Sequence, residues 1–328
     1  MVEKMERKKL RTGDFLGMIQ SGLPFILFVV IGGAISILNP RFLTWENISN
    51  IFMQYAGTAF VALGAMMVLI SGGIDFTTAE ISALGSTLGG LWYLRNGGNA
   101  FLLIMGCILM GLAVGLINGV LIAYFKFQPF IATLAMQALV HGVMMTLAEG
   151  ELILLQNNAV VEFLGKGKIL GLPTAFLLLL VFGVIMWFVM KRTKLGAYTY
   201  ALGGNEEALR SSGVNIRIYK MLIYVMAGLC AGLGTVMITC RMAAVYSSVS
   251  STLLLDAIAA AVIGGTSVRG GKGSVVGTIV GAMIIGVIAN SMTLLNVPSN
   301  MYSVVKGITI IFALLIDVAV NMRSSREG

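Results

Sequence analysis

Charged residues are scarce in this chain of 328 residues. Asp, Glu, Lys and Arg make up 11% of it and apolar residues 58%, whereas a soluble globular chain has about 25% charged residues. So little charge over this length excludes a soluble domain, because lipid accepts apolar surface on every side of a helix and water does not. The composition therefore predicts a polytopic membrane protein.

Histidine and cysteine are also rare. His141 is the only histidine, and Cys107, Cys230 and Cys240 lie within or beside apolar stretches. No pair among them has the spacing of metal ligands, and one histidine leaves few options for acid–base catalysis. The chain also lacks the glycine-rich loop that cradles phosphates. We therefore expect no metal site, no cofactor bound by this chain and no enzyme activity, and we expect His141 to be a polar residue of helix packing.

Glycine is abundant instead, with 41 residues. Small residues four positions apart let two helices approach closely in a bilayer, so this spacing predicts helix packing and says little about a substrate. The spacing occurs at Gly85/Gly89, Gly111/Gly115/Gly119, Gly228/Gly232 and Gly277/Gly281.

Ten apolar stretches come close to the roughly 20 residues that a helix needs to cross a bilayer. Every span is expected to be helical, because a backbone in lipid must satisfy its own hydrogen bonds, and the alternating pattern of a membrane β-barrel does not occur. The third and eighth are interrupted by polar residues and glycines, which leaves short or re-entrant segments open. The predicted spans are approximately 20–38, 51–70, 78–94, 100–123, 129–148, 173–190, 218–240, 252–267, 274–294 and 302–320.

Lysine and arginine are unevenly distributed between the two sides of these spans. With the N-terminus inside, the cytoplasmic segments hold most of the 22 cations, as cytoplasmic loops of membrane proteins do. The net charge of +8 therefore indicates topology rather than binding of nucleic acid. Lys306 alone falls inside a span, near its outer end, where it can snorkel to the interface. The predicted fold is an all-α polytopic membrane protein with both termini cytoplasmic and one transmembrane domain, 20–320, between tails at 1–19 and 321–328.

Spans 2–5 and 7–10 run in opposite directions under this topology, which suits an inverted repeat. Two loops are long. Segment 149–172 is external and partly apolar, so we expect it to pack over the outer mouth, and segment 191–217 is the longest cytoplasmic loop.

The cytoplasmic loop contains a short amphipathic helix at 204–214. Gly213 suits the position just after its end, and the acids near its start with Arg210 near its end suit the helix dipole. An ordinary surface helix is one interpretation, and a coupling helix, a rigid lever docked into a partner subunit, is the one we favour. Its candidate coupling residues are Asn205, Glu206, Glu207, Ala208, Arg210 and Gly213.

Segment 71–80 combines two glycines with two acids between the second and third spans. Asp75 or Thr77 can cap the third span, and Thr77 with Glu80 has the spacing of a capping box. Two interpretations stay open. The segment is a tight turn between spans, or it is a broken helix that lines a translocation path, since ionisable groups at membrane depth are costly and mark transport routes.

Other polar residues lie within the apolar spans. Asp256 sits one turn inside such a run, so it either anchors to a neighbouring helix or contacts a solute. Asn118 and Asn290 are expected to bond another helix rather than a hydroxylated solute. The candidate residues of a translocation pathway are Asp75, Thr77, Asn118, Phe130, Thr133, Gln137, Asp256 and Asn290.

Several of these blocks resemble the ribose/xylose/galactose branch of ABC transporter permeases, a membrane family that also includes amino-acid permeases. The likeness runs from about residue 45 to 320. It departs from the family pattern after Asp75, where Phe76 and the two threonines follow, and at His141, where the family often has Arg. The blocks are Gly72-Gly73-Ile74-Asp75, Asn118 to Ile122 with Pro129 to Leu134, Ala201 to Gly213, Leu255 to Gly273, and Lys306-Gly307.

This resemblance implies the permease subunit of an ATP-driven importer in the bacterial inner membrane, which passes a ribose-, xylose- or galactose-like sugar inward by alternating access. It implies an ATP-binding cassette subunit that uses ATP and Mg²⁺, a second permease copy or paralogue, and an extracytoplasmic sugar-binding protein. Two alternatives remain. A proton-coupled secondary transporter would use Asp75 or Asp256 as its proton carrier, and an intramembrane enzyme would need a catalytic constellation that the sequence lacks.

Overall fold

The computed structural model describes residues 24–26, 28–148, 153–155, 158–245, 252–298, 301–309, 311 and 315. Helices account for most of these residues, which confirms the predicted helical membrane protein. The helices are α1 (Pro24–Leu38), α2 (Trp45–Ile70), α3 (Thr78–Arg95), α4 (Ala100–Ala123), α5 (Pro129–Ala148), α6 (Ala159–Lys166), α7 (Thr174–Arg192), α8 (Lys194–Ser211), α9 (Ile216–Met242), α10 (Thr252–Ile263), α11 (Val275–Leu294) and α12 (301–309). A short 3-10 helix, Pro40–Leu43, precedes α2.

The all-α prediction omits four two-residue strands. They are β1 (Ile153–Leu154), β2 (Lys168–Ile169), β3 (Leu172–Pro173) and β4 (Ala244–Val245). They form two antiparallel pairs, β1 with β4 and β2 with β3. Strands β2 and β3 lie in one loop between α6 and α7, whereas β1 and β4 come from two different loops, and hydropathy alone gives no indication of a strand in any of them.

Six of the described helices are long and apolar enough to cross a membrane, namely α2, α4, α5, α7, α9 and α11. The weakest predicted spans differ from them. The third is α3, an 18-residue helix outside this group, and the eighth is α10, which has only 12 residues. The tenth span is helical over 301–309, and most of its remainder lies outside the described residues, as do the predicted tails, 1–19 and 321–328.

Side chains cap several helix starts, where backbone N–H groups have no partner within the helix. The Thr44 hydroxyl accepts from the backbone N–H of Asn47 at the start of α2. Ser274 does the same for Gly277 on α11, and the Asn99 amide oxygen accepts from Phe101 on α4 at 3.0 Å. These bonds fix the residues at which the helices begin.

Helix α2 forms the centre of the bundle. Every residue from Tyr55 to Ile70 is buried, although the helix has no polar stripe that would separate a core face from a lipid face. Helices α4, α5 and α7 are different, because most of the residues in their apolar windows are not buried. Helix α2 is therefore enclosed by protein, whereas α4, α5 and α7 present much of their apolar surface outward.

Glycine brings α4 and α9 into backbone contact, as the small-residue spacing predicts. A Cβ atom added to Gly119 would lie 2.8 Å from the carbonyl oxygen of Met221. Cβ atoms at Gly111 and Gly115 would overlap the carbonyl oxygens of Gly228 and Tyr224. No side chain larger than hydrogen fits at these positions without separating the helices.

The connections sort into two ends of the bundle. At one end, which we call the α8 end, the N–H of Gly271 donates to the carbonyl oxygen of Ile70 at 2.8 Å. At the other, the α6 end, the Asn39 side chain donates to the Leu294 carbonyl oxygen at 3.2 Å, and Asn158 donates to Gly98 at 2.7 Å. The loops at the α8 end are the ones that the distribution of Lys and Arg predicts to be cytoplasmic, and the loops at the α6 end are the ones that it predicts to be external.

Candidate functional site

The turn between α2 and α3 is tight and buried. Gly72 has a φ of 84°, the left-handed region that favours glycine. The Asp75 side chain is only 4% exposed, and its Oδ1 accepts from the Thr77 N–H at 2.8 Å and from the Thr77 hydroxyl at 2.6 Å. Of the two residues predicted to cap α3, Thr77 occupies the N-cap position without a side-chain capping bond, and Asp75 bonds this N-cap residue rather than the helix itself.

The predicted capping box is wrong. Thr77 makes no side-chain capping bond to α3; its hydroxyl donates to Asp75 and accepts from Asn118. Glu80 turns to another helix, with its Oε2 3.0 Å from Nδ1 of His141 on α5. His141 thus links α5 to α3, and the sequence gives no local indication of a partner 61 positions away.

Four polar side chains form a buried group at this turn, which we call the Asp75 cluster: Asp75, Thr77, Asn118 and Tyr224. The Asn118 amide donates to the Thr77 hydroxyl at 3.0 Å, so Asn118 bonds a neighbouring segment as expected. Oδ2 of Asp75, Oδ1 of Asn118 and the hydroxyl of Tyr224 are buried without a hydrogen-bond partner in the described part of the chain. Such groups are costly in a protein interior, and the cluster has unused hydrogen-bonding capacity.

The start of α5 packs against the same turn. The buried Thr133 hydroxyl lies 2.8 Å from the Pro129 carbonyl oxygen and 3.2 Å from that of Ile74. The Phe130 ring meets Phe76 edge to face, with centroids 5.3 Å apart. Thr133 therefore joins α5 to the turn, Phe130 is half exposed, and Gln137, one turn beyond Thr133, is half-buried.

Asp256 belongs to a different region. Its Oδ2 accepts from Nζ of Lys306 at 2.7 Å, and the two side chains are 9% and 17% exposed. Asp256 anchors α10 to a neighbouring helix, which is one of the two expectations for it. The prediction that Lys306 snorkels to the interface is wrong, because a carboxylate within reach is a better partner for its ammonium group than the membrane surface.

Asn290 lies near this ion pair and also bonds another helix. Its side chain and that of Asn47 exchange two hydrogen bonds, of 3.0 and 2.8 Å. Beside them is a cavity of about 530 Å³, which we call the α6-end cavity. The polar residues that line it include Asn50, Gln54, Arg241, Asn290, Tyr302 and Lys306.

Of the residues that line this cavity, the sequence indicates only Asn290 as a pathway candidate. Asn50 and Gln54 lie four positions apart at the start of α2, and so do Tyr302 and Lys306 on α12. This helical spacing was a usable indication, because it directs both members of each pair to one side.

The predicted coupling helix is the second part of a longer helix. Helix α8 begins at Lys194, and its backbone is extended at Asn205, with φ −160° and ψ 98°. The Asn205 side chain then accepts from the Ala208 N–H at 2.9 Å and caps a new start. Gly213 follows the end of the helix with a φ of 79°, as predicted. The sequence predicts a loop over 194–204, whereas the structure has a helix there.

Charges on the second part of α8 divide into bound and free groups. Glu206 accepts from Lys220 at 2.7 Å and from Arg210 at 3.3 Å. Glu207 and Ala208 are exposed, and Leu209 is buried and holds the segment to the bundle. A recess of about 490 Å³ adjoins it, lined by Lys126, Glu206, Arg210, Arg217 and Lys220 among others.

The first part of α8 is joined directly to the bundle. A Cβ atom at Gly203 would overlap the Ile70 carbonyl oxygen and lie 2.5 Å from the Gly271 nitrogen. The Tyr200 hydroxyl donates to the Gly273 carbonyl oxygen at 2.9 Å, and burial raises the pKa of Tyr200, which keeps this donor protonated. We call this contact between α8, the end of α2 and segment 264–274 the Gly203 junction.

Comparison with known proteins now identifies the family. The family model described as "Branched-chain amino acid transport system / permease component" matches residues 47–314. The chain belongs to this family. It is 36% identical to the ribose import permease protein RbsC of Escherichia coli (strain K12), over 89% of this chain and 92% of that protein. It is 38% identical to RbsC of Bacillus subtilis (strain 168), over 95% and 96%, and 33% identical to the D-allose transport system permease protein AlsC of Escherichia coli (strain K12), over 90% of each.

No match was found among solved structures. The residues matched by this permease family run from α2 through α12, so they contain the Asp75 cluster, the α6-end cavity and α8. A permease component is a transport protein and not an enzyme, and its apolar helices make it a multi-pass protein of the bacterial inner membrane.

Proposed function

We propose that this chain is the membrane-spanning permease subunit of an ATP-binding cassette importer, and that it forms the inward pathway for a monosaccharide. The observation that carries this proposal is the identity of 33–38% over nearly the whole chain to permeases named for ribose import and D-allose transport. The sugar is then ribose-, xylose- or galactose-like, and it reaches the permease on an extracytoplasmic binding protein.

The proposed topology has ten spans in one transmembrane domain, 20–320, with both termini cytoplasmic and the coupling loop at 191–217. The α8 end is then cytoplasmic, and most of the 22 cations lie on that side. An inverted repeat of spans 2–5 and 7–10 is part of this proposal. It is supported by glycine contacts in corresponding pairs, since Gly89 of α3 packs on Leu103 of α4, and Gly264 packs on Gly277 of α11.

Several partners follow from this proposal. The ATP-binding cassette subunit, which uses ATP and Mg²⁺, docks on α8 through Asn205, Glu206, Glu207, Ala208, Arg210 and Gly213. The basic recess beside α8 suits an acidic segment of that subunit. A second permease copy or paralogue completes the pathway, lipid surrounds it, the binding protein docks on the α6 end, and the chain itself binds neither a cofactor nor nucleic acid.

The Gly203 junction connects α8, where the ATPase subunit docks, to the transmembrane helices. Backbone contacts tie α8 to the end of α2 and to segment 264–274, which connects α10 with α11. Because backbone contacts of this kind cannot slide without losing packing, movement of α8 by the ATPase would move the inner ends of these helices. Alternating access then opens one end of the pathway while the other closes.

The contacts of the two acids disfavour a proton-coupled transporter. Oδ1 of Asp75 is occupied by two hydrogen bonds from Thr77, and Asp256 is neutralised by Lys306. A proton carrier must exchange its proton with water on each side in turn, and neither carboxylate is exposed.

Purification from the native membrane tests the proposed function. We expect an ATP-binding subunit to copurify with the chain and to be lost when Glu207 and Arg210 are both changed to alanine. The matched control is Glu162→Ala on α6, at the opposite end, which should keep the subunit. Purification of the chain alone, together with sugar uptake driven by a proton gradient in liposomes, would contradict the proposal and support secondary transport.

A further inference from the structure

We propose that the α6-end cavity is a transient binding site for one neutral monosaccharide, occupied before the sugar passes toward the α8 end. This inference rests on the proposed function, because it names where the permease itself holds its solute. The cavity measures about 530 Å³, which falls within the roughly 300–1,000 Å³ of small-molecule sites.

Polar residues from three helices line the same cavity. Helix α2 contributes Asn50 and Gln54, α11 contributes Asn290, and α12 contributes Tyr302 and Lys306. Polar side chains on membrane helices normally face a partner or a water-filled path, because lipid gives them no hydrogen bonds. Polar positions from three helices that line one cavity therefore indicate a path for a polar solute.

Some polar side chains that line the cavity are held by hydrogen bonds, and others are not. Asn290 is held by Asn47, and the Tyr302 hydroxyl lies 3.0 Å from that of Thr293. Asn50 and Gln54 make no side-chain hydrogen bond to any residue that the structure describes. A side-chain amide both donates and accepts hydrogen bonds, as a sugar hydroxyl does. The amides of Asn50 and Gln54 can therefore bond the hydroxyl groups of a sugar, while the neighbouring side chains are held in place.

The charges in the cavity also suit a neutral solute. Lys306 is paired with Asp256 at 2.7 Å, and this pair adds no net charge. Arg241, among the described residues, has no carboxylate partner, but a guanidinium has five N–H donors and bonds neutral hydroxyl oxygens as well as anions. The ribose and D-allose of the relatives' names are neutral sugars.

The position of the cavity fits a first step of import. The cavity lies at the α6 end, where the proposed binding protein releases its sugar. At the α8 end, the backbone segments of the Gly203 junction pack directly against one another. A cavity larger than one monosaccharide retains water around the sugar. Such a site binds weakly, which favours release toward the other end.

Thiol protection tests the site directly. Cys107, Cys230 and Cys240 are all buried, so Gln54→Cys introduces an accessible thiol without removing native cysteines. We expect millimolar D-ribose or D-allose to slow its reaction with a membrane-impermeant thiol reagent by about threefold or more. The matched control is Asn96→Cys, an exposed position at the same end outside the cavity, whose reaction should not change. Absence of protection in an importer that transports the sugar would overturn the proposal.

A double substitution tests how much the two amides contribute to sugar binding. In the complete importer, Asn50→Leu with Gln54→Leu should reduce sugar uptake at limiting sugar by about tenfold, the loss expected for one or two hydrogen bonds. Equal uptake by the variant and the native importer would refute the cavity site alone, whereas absence of ATP-driven uptake of these sugars by the native importer would refute the proposed substrate class. Protection by ribonate but not by ribose would refute a neutral ligand.

Discussion

Recesses of similar volume lie at opposite ends of this protein, about 490 Å³ at the α8 end and about 530 Å³ at the α6 end. The first is lined by four cations and one acid, with Arg210 and Lys220 bonded to Glu206. The second is lined by three amides, two tyrosines and two cations, one of them paired with Asp256. Similar size with different chemistry indicates different partners.

The difference follows from what each surface must recognise. A surface rich in one sign of charge attracts a protein with complementary charge and orients it. Amides without internal partners exchange hydrogen bonds with water and with sugar hydroxyls at nearly equal free energy, so they bind a solute weakly. The α8 end is therefore suited to a lasting subunit contact and the α6 end to a passing solute.

Substitution at the Gly203 junction should have the largest effect on the α8 end. Gly203→Ala places a methyl group against the Ile70 carbonyl oxygen, and overpacking of this kind costs about 1–3 kcal/mol. We expect ATP-driven uptake to fall by about tenfold or more at normal membrane levels of the protein. Gly204→Ala is the matched control, because a Cβ atom there would meet nothing within 4 Å. Equal uptake by both variants would show that the junction transmits no movement.

Separating Asp256 from Lys306 should destabilise the α6 end. Loss of one member of a buried ion pair costs about 3–5 kcal/mol, because it leaves an uncompensated charge. Asp256→Asn should therefore lower the thermal stability of the purified protein strongly, and Asp256→Asn with Lys306→Met should recover most of the loss. Thermal unfolding followed by circular dichroism measures both. If the double variant is as unstable as the sum of the single variants, the two charges do not neutralise each other in the cavity.

How far the sequence predicts this molecule depends on the distance between interacting residues. The helical membrane fold follows from apolar runs, and close helix packing at Gly111, Gly115 and Gly119 follows from their spacing, because both are local patterns, whereas the choice of α9 as the partner does not follow. The end of the coupling helix follows from Gly213 for the same reason. Tertiary pairs are different. Glu80 meets His141 across 61 positions, and Lys306 meets Asp256 across 50, and nothing near either residue indicates its partner.

The capping error has the same origin. Thr77 and Glu80 have the right spacing for a capping box, but the Thr77 hydroxyl bonds Asp75 and Asn118, and Glu80 bonds His141 on another helix. The kink in α8 was missed because Asn205 both interrupts a helix and starts one. The α6-end cavity was missed because its lining comes from four separate segments, and only packing brings them together.

Substitution of the exposed part of α8 should have an intermediate effect. Glu207→Ala with Gly213→Ala removes an exposed acid and strains a residue whose φ is 79°, where alanine costs about 1 kcal/mol or more. We expect the sugar-stimulated ATPase activity of the importer to fall by about three- to tenfold while membrane insertion stays intact. Glu162→Ala at the α6 end should leave that activity unchanged. Unaltered stimulation in the double variant would remove this segment from the coupling surface.

The smallest effect is expected for Asp75→Asn. Asparagine keeps an Oδ1 that accepts both bonds from Thr77, and its new N–H donors enter a cluster in which Asn118 and Tyr224 each have an oxygen without a partner. We therefore expect ATP-driven uptake in proteoliposomes within about twofold of the native value, with or without a protonophore. Asp75→Ala is the informative contrast, because it leaves two buried donors of Thr77 unpaired at about 1–3 kcal/mol each. Complete loss of uptake in Asp75→Asn, in an importer that still assembles, would show that the charge itself is needed and would restore Asp75 as a proton carrier.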